Sequence, residues 1–241
     1  MKERTAKILE AVVREFIKSG LPVSSLELYK KYDFNVKPAT IRAELNYLTK
    51  HYFLSQSHHS AGRQPTDLAY RFFAEISREK NAFDSFSRRC QDFFETENMD
   101  DFIKTFSKGL RVLGISYDKD DDLARKEGLP FLIKELDGWP VSEISKIIED
   151  FELIEERIRR FGELFFEEDK PRIFIGQKNP FIRNENLAVI GDGYYLNRKE
   201  VVVLAVGPKR MNYQRAIRVF NGLALKAKKS ETINNKSNKK N

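Results

Sequence analysis

The stretch KPATIRAELNYLTKHYFLSQSHHSAGRQPTDLAYRF, residues 37–72, decides the fold of the N-terminal part of this chain. Ile41 and Leu45 are about one helical turn apart, so they lie on one face of a helix. Pro38 suits the first position of that helix, because its missing N–H would have no partner there. The pattern predicts a helix from Pro38 to about His51.

The residues after this helix predict a β-hairpin and then another helix. Residues 53–56 favour a short strand, and residues 57–65 form a basic loop. Gly62 is expected to allow a tight hairpin tip that presents Arg63 to the phosphate backbone or minor groove of a nucleic acid. A further helix is expected to be capped near Thr66.

Two helices are expected before this stretch. Apolar residues at helical spacing predict the first over residues 4–19, and Gly20 suits its C-terminal end. Ser24 followed by Glu27 forms a capping-box pattern and predicts a second helix through Lys31. Helix, turn, helix and hairpin in this order are typical of a winged helix-turn-helix, which we assign to residues 1–80.

The charge of the chain is unevenly distributed. The net charge is +7 over 241 residues, and residues 1–80 hold 14 Lys or Arg against 9 Asp or Glu. Residues 81–225 hold 23 Lys or Arg against 26 Asp or Glu. Because phosphate attracts positive charge, the N-terminal part is the candidate nucleic-acid-binding region.

The third helix carries a polar face that could read bases. Arg42 and Asn46 project from it four residues apart, and the small Ala39 and Ala43 would let the helix approach DNA closely. Arginine pairs with guanine and asparagine with adenine in the major groove. A solvated helix face is the alternative, but the basic hairpin that follows favours DNA. The predicted DNA contacts are Lys37, Thr40, Arg42, Asn46, Lys50, His58, Arg63 and Arg71.

Residues 81–228 predict a second, α/β domain. Helices are expected over 82–95, 99–113, 141–168 and 212–226. A strand is expected from Gly114, and further β-rich runs lie at 172–175, 187–190 and 201–206, with a turn at 191–193. These strands are expected to form one small antiparallel sheet. The basic tail, 229–241, has too few apolar residues to be buried and is expected to be disordered.

Other chemistries have little support in the sequence. His51, His58 and His59 lack a nearby cysteine that would complete a zinc site. The acidic run at 118–122 resembles the opening of a calcium loop, but it lacks the required glycine and the final glutamate. Cys90 has no histidine close in sequence, so no nucleophile and base are evident. We therefore expect no catalytic residue, no metal and no cofactor.

The composition also indicates in which cellular compartment the protein is expected. One cysteine excludes an intrachain disulfide and suits a reducing compartment. No apolar run approaches the roughly 18 residues of a membrane span. A cytoplasmic protein without a membrane partner is expected.

Motifs in both halves of the chain resemble the HrcA family of heat-inducible transcription repressors. In the N-terminal half the matching residues are Lys7-Ile8-Leu9, Gly20, Pro22-Val23, Ala39-Thr40-Ile41-Arg42, Ser60-Ala61-Gly62-Arg63, Pro65-Thr66 and Tyr70-Arg71. In the C-terminal half they are Ile173-Phe174-Ile175-Gly176, Asn179-Pro180, Gly207-Pro208-Lys209-Arg210-Met211 and Tyr213. Two separated matches in the same order are more specific than one helix-turn-helix pattern.

The resemblance implies an α+β protein, with an N-terminal winged helix-turn-helix followed by a small GAF-like domain. It also implies a repressor that binds an inverted-repeat operator near chaperone genes as a homodimer, with the GroE chaperonin as a partner. The chain departs from the family in having Lys37 where a hydroxyl residue usually opens the recognition helix. It also lacks the inserted dimerising region of longer members.

Two functions are compatible with these observations. The first is a sequence-specific repressor whose second domain pairs the subunits through the helix at 141–168 or the sheet edge beside it. The end of this helix at Phe161–Phe166 is richest in large apolar residues, and Phe161 and Phe165 are its expected contacts. The alternative is a ligand-sensing or protein-interaction module that binds nucleic acid only non-specifically, which the shortened second domain motivates. Phosphate contacts alone would give steep salt dependence without sequence preference, so binding experiments separate the two.

Overall fold

The computed structural model describes residues 1–58, 61–78, 84–135 and 140–227. The chain divides into two compact units, Met1–Ile76 and Ser77–Asn241, which we describe separately. The predicted tail at 229–241 lies outside the described residues. No helix in the part described has the length and apolar character needed to cross a membrane.

The N-terminal unit contains the predicted helices and a short hairpin. Its elements are α1 (Glu3–Ser19), α2 (Ser25–Lys31), α3 (Pro38–Lys50), β1 (Leu54–Ser55), β2 (Gln64–Pro65) and α4 (Asp67–Arg78). Gly20 ends α1 in the left-handed conformation with φ 68°. The Ser24 hydroxyl accepts a hydrogen bond from the Glu27 backbone N–H at 3.1 Å and caps α2. The four helices are therefore confirmed, whereas the predicted strand at 53–56 is only two residues long.

The hairpin also pairs with the segment between α1 and α2. Strands β1 and β2 are antiparallel, and Val23 forms a bridge with Arg63. Gly62 does not have a positive φ, so the hairpin does not need a glycine there for a left-handed conformation. Instead, a Cβ atom at Gly62 would lie 2.6 Å from the backbone carbon and oxygen of Pro22. The expected tip role is wrong, since close backbone approach is what requires glycine.

The C-terminal unit is built on a five-stranded antiparallel sheet in the order β4-β3-β7-β6-β5. The strands are β3 (Leu113–Asp118), β4 (Leu123–Glu127), β5 (Arg172–Ile175), β6 (Leu187–Leu196) and β7 (Lys199–Pro208). The helices are α5 (Ser85–Glu95), α6 (Met99–Leu110), α7 (Leu129–Glu135), α8 (Val141–Glu152), α9 (Ile154–Phe161) and α10 (Tyr213–Ala227). Short 3₁₀ helices cover Gly162–Phe166 and Gly176–Lys178.

Helices cover both faces of this sheet. On one face, Leu204 of β7 belongs to a buried cluster with Ile158 of α9 and Phe165. On the other, Phe94 of α5 packs against Tyr194 of β6, with ring centroids 5.2 Å apart. Apolar side chains thus point to both sides of the central strands, which explains their nearly continuous burial. This mixed α+β arrangement fits the expected GAF-like domain.

The single long helix predicted over 141–168 is wrong. The chain forms α8, α9 and a 3₁₀ helix instead, and Leu153 separates the first two. A straight helix over this range would be about 42 Å long. The ten-residue strands β6 and β7 extend only about 33 Å. Breaking the helix therefore lets its apolar residues stay on the sheet.

The turn predicted at 191–193 is also wrong, because these residues lie inside β6. A Cβ atom at Gly191 would lie 2.5 Å from the Phe165 ring, and one at Gly193 would lie 2.8 Å from the Phe166 ring. The glycines thus let the 3₁₀ helix pack on the strand. The actual turn contains Asn197 and Arg198, with φ values of 48° and 75°.

The remaining predicted boundaries change little. Helix α6 ends at Leu110, before position 113, because Arg111 adopts the left-handed conformation with φ 57°. Helix α5 begins at Ser85, whereas part of the predicted range 82–95 lies outside the described residues. The final helix and the three β-rich runs are confirmed; β5 has the predicted bounds, and β6 and β7 are longer than expected.

Candidate nucleic-acid interface

Helix α3 is held against α1 by a hydrogen-bonded ion pair on its inner side. The Arg4 guanidinium donates to Glu44 Oε1 from Nε at 3.0 Å and from Nη2 at 2.7 Å. The Thr5 hydroxyl donates to Glu44 Oε2 at 2.8 Å. Burial raises the pKa of Glu44, but the bonds from Arg4 and Thr5 outweigh it and lower that pKa. The carboxylate thus fixes how α3 is rotated.

The outer face of α3 presents the side chains that the sequence singled out. Arg42, Asn46 and Lys50 are exposed, as are the small residues Ala39 and Ala43. Ile41, Leu45 and Leu48 are buried on the opposite side. The structure therefore leaves the predicted reading face accessible over more than two helical turns.

This face forms one side of an open groove of about 910 Å³. The other side is formed by hairpin residues, including Gln56 and Gly62, and by the segment from Val23 to Leu26. Among the predicted DNA contacts, the groove brings together Arg42, Asn46, Lys50 and Arg63. It thus combines a helix face with a basic hairpin in one concave surface.

Arg63 does not project freely from the hairpin. Its Nε donates to Thr49 Oγ1 at 3.0 Å, its Nη2 to Asn46 Oδ1 at 2.7 Å and its Nη1 to the Ala61 carbonyl at 3.2 Å. Burial lowers the pKa of the guanidinium from its usual value. Arg63 therefore connects the hairpin to α3.

Thr49 was missed by the sequence reasoning, although a signal was present. It follows Asn46 by three residues, so both side chains lie on the same side of α3. The segment from Ser24 to Leu26, which also lines the groove, carries no comparable signal. Its contribution depends on how α2 packs beside α3.

The other predicted contacts lie away from the groove lining. Lys37 is exposed immediately before α3, and Arg71 is exposed on α4. Thr40 is half-buried and lies roughly 160° around the helix from Arg42. His58 is exposed in the hairpin loop, whereas His59 lies outside the described residues.

The residues considered in the sequence for catalysis or metal binding have structural roles instead. Cys90 is buried, and burial raises the pKa of its thiol to about 12. Asp118 accepts hydrogen bonds from the backbone N–H groups of Asp120 and Asp121, at 3.0 and 3.1 Å, and pairs with Lys199. Within the described ranges, no group of three His, Cys, Asp or Glu side chains is arranged to hold a metal ion.

A cleft of about 510 Å³ in the C-terminal unit is lined mainly by charged side chains. Its buried carboxylate, Asp150, accepts from Arg157 Nη1 at 2.6 Å. It also accepts from the backbone N–H groups of Arg183 and Asn184 at 2.9 and 3.0 Å. Because these bonds join α8 and α9 to the loop before β6, Asp150 has a structural role.

Comparisons with known proteins agree with the resemblance seen in the sequence. Residues 56–217 match the family model described as the HrcA protein C-terminal domain. The heat-inducible transcription repressor HrcA of Thermodesulfovibrio yellowstonii is 27% identical over 335 aligned residues, covering 93% of this chain and 96% of the relative. HrcA of Carboxydothermus hydrogenoformans is 43% identical over 91 residues, covering 38% of this chain and 26% of that protein.

The alignment with the Thermodesulfovibrio protein also agrees with the absence of the inserted region that longer family members have. It spans 335 positions, whereas this chain has 241 residues, so the Thermodesulfovibrio protein has stretches without a counterpart here. A crystal structure described as a hypothetical protein superposes with a TM-score of 0.73 and 18% identity, over 94% of this chain and 97% of its own. That similarity concerns the fold alone.

Proposed function

The chain belongs to the HrcA family of transcription repressors, a family without enzymatic activity, and we propose that this member represses transcription by binding operator DNA. In this proposal the N-terminal unit acts as a winged helix-turn-helix, with α3 as its recognition helix and the hairpin as its wing. The observation that carries the proposal is the groove in which Arg42 and Asn46 face the hairpin.

The side chains divide into base readers and phosphate contacts. Arg42 is proposed to pair with a guanine edge, because its guanidinium is exposed and can donate two parallel hydrogen bonds. Lys37 and Lys50, near the two ends of α3, are proposed to hold phosphates. Further contacts from Thr40, His58 and Arg71 are proposed at the margins of the interface.

The operator is proposed to be an inverted repeat read by a homodimer. Half-site geometry mirrors protein symmetry, so a palindromic site requires two copies related by a twofold axis. The name of the curated relatives, heat-inducible repressor, supports regulation of heat-shock and chaperone genes. A marginal subunit interface that melts on heating would release DNA under such conditions. GroE as a partner and a cytoplasmic location are proposed on family resemblance.

The test is selection of genomic DNA fragments by the full chain, followed by titration of a selected duplex and a scrambled duplex over a range of salt. We expect the selected fragments to share an inverted repeat and to bind at least about 10³-fold more tightly than the scrambled sequence. Equal affinity for both duplexes with a steep salt dependence would reject the repressor. That result would favour the module with only non-specific nucleic-acid binding.

A further inference from the structure

The strongest unexplained feature of the groove is the contact between Arg63 and the recognition face. The Arg63 guanidinium donates to Asn46 Oδ1 across a sequence separation of 17 residues. Its backbone is fixed as well, since the Arg63 N–H donates to the Val23 carbonyl at 2.8 Å and the Arg63 carbonyl accepts from the Val23 N–H at 2.9 Å. Hydrogen bonds therefore hold both the backbone and the side chain of Arg63 in place.

This contact determines which way the Asn46 amide points. A guanidinium has only N–H donors, so the atom of Asn46 that faces Arg63 must be the carbonyl oxygen. The amide N–H₂ group then occupies the other position on the side chain. Thr49 holds the Arg63 Nε and keeps the guanidinium plane fixed beside Asn46.

An asparagine with a free amide recognises adenine through both of its polar atoms. Its oxygen accepts from adenine N6, and its nitrogen donates to N7. At Asn46 one lone pair of the oxygen already accepts from Arg63, whereas the N–H₂ group has no hydrogen-bond partner among the described residues and is the group left for DNA. This geometry favours base edges that present an acceptor.

We infer that Arg63 is a positioning residue that makes Asn46 a hydrogen-bond donor to an acceptor edge: purine N7, guanine O6 or thymine O4. The inference rests on the proposed function, because it concerns the same DNA interface. It replaces the expectation that Arg63 holds a phosphate and that Asn46 reads adenine through two bonds.

Base analogues in the operator test this, with binding of the unaltered full chain as the measurement and one variant to locate the base. Asn46→Ala first identifies the operator position whose preference is lost. If that base is adenine, replacing it with purine, which lacks the N6 amino group, should leave affinity unchanged. Replacing it with 7-deazaadenine should reduce affinity about tenfold. A guanine or thymine at that position would support the inference, whereas loss of affinity on removing N6 would overturn it.

A substitution at Arg63 distinguishes positioning from phosphate binding. Arg63→Met keeps a long unbranched side chain but has no N–H donor. We expect base preference at the Asn46 position to fall about tenfold while the slope of log affinity against log salt is unchanged. A slope reduced by about 0.9 with preference intact would overturn the inference, because that is the effect of one lost phosphate contact.

Asn46→Asp provides a second test if the Arg63 variant does not fold. Aspartate still accepts from Arg63, but it presents an oxygen where asparagine presents N–H₂. Preference should therefore shift toward cytosine, whose N4 amino group donates in the major groove. An unchanged base preference would contradict the inference. If the unaltered chain prefers no duplex, the proposed function fails; if Asn46→Ala alters no position of a preferred duplex, this inference alone fails.

Discussion

Gly62 lies where the hairpin passes closest to the segment between α1 and α2. A Cβ atom there would lie 2.6 Å from the Pro22 backbone and 2.8 Å from the Val23 nitrogen. Backbone atoms cannot rotate away as a side chain can. We expect Gly62→Ala to lower the free energy of unfolding by about 1–3 kcal/mol, measured by urea unfolding followed by circular dichroism.

A matched control for this substitution is Gly162→Ala. A Cβ atom at Gly162 would lie no closer than 3.6 Å to any neighbouring atom, which is ordinary contact. Its backbone is also helical, with φ −61° and ψ −28°. We expect a change within about 0.5 kcal/mol for this control. Equal effects of the two substitutions would show that the Gly62 contact does not require glycine.

Arg42 and Lys50 differ in what they should contribute to binding. We expect Arg42→Ala to cost about 1–3 kcal/mol of binding free energy and to relax preference at one base position. Lys50→Ala should instead weaken selected and scrambled duplexes alike and reduce the salt slope by about one unit. Fluorescence anisotropy against single-base variants of the duplex measures both. Uniform weakening by Arg42→Ala would remove it from base readout.

At the scale of elements, Glu15 joins α1 to the end of α2. Its carboxylate accepts hydrogen bonds from Lys31 Nζ at 2.5 Å, the Tyr32 hydroxyl at 2.7 Å and Lys18 Nζ at 3.2 Å. Burial raises the pKa of Glu15, but these bonds outweigh it and lower the pKa to about 2. The charged form thus stabilises the packing of the two helices.

This pKa predicts how stability depends on pH. The folded value lies below the ordinary value of 4.5, so the contribution of Glu15 is fully present above about pH 5. It is lost as the pH falls from there toward 2. Glu15→Gln should lower stability at pH 7 and flatten its decline in acid, measured by urea unfolding between pH 3 and 7. Glu3→Gln is the control, because Glu3 is exposed; an equally steep decline in both variants would contradict the assignment.

At the scale of the whole molecule, the predicted dimer contact near Phe161 and Phe165 needs correction. Phe165 is only 1% exposed and stacks on Phe181 with ring centroids 4.9 Å apart. Phe161 is partly buried against the same cluster. These rings therefore belong to the interior of the C-terminal unit, and a charge at Phe165 would disturb folding.

The exposed apolar residues of α8 are better candidates for a subunit contact. Val141 is 78% exposed and Ile148 is 44% exposed on this helix. We expect Ile148→Glu to shift the full chain toward monomer in sedimentation equilibrium. Leu123→Glu is the control, because Leu123 is equally exposed but lies on β4. A monomeric unaltered chain would mean that DNA itself brings two copies together.

Local sequence patterns predicted most of the helices and strands of this protein. Helical spacing and end residues such as Gly20, Ser24 and Pro38 predicted the helices of the N-terminal unit, because capping depends on neighbours in the chain. β-Rich runs likewise predicted β3, β5, β6 and β7, whereas β4, with the sequence LARKE, had no such run. The spacing of Arg42 and Asn46 correctly placed both on the exposed face of α3. The charge distribution favours a nucleic-acid partner for this unit, which stays a prediction.

Only the tertiary structure decided where the helices break, how the strands pack and how the side chains of the groove are oriented. The break at Leu153 follows from the length of the sheet, and the glycines of β6 follow from packing against Phe165 and Phe166. The hydrogen bond from Arg63 to Asn46 joins the hairpin to α3, so the identities of these two residues do not by themselves predict the orientation of the Asn46 amide. These properties depend on contacts between distant segments, which local spacing does not encode.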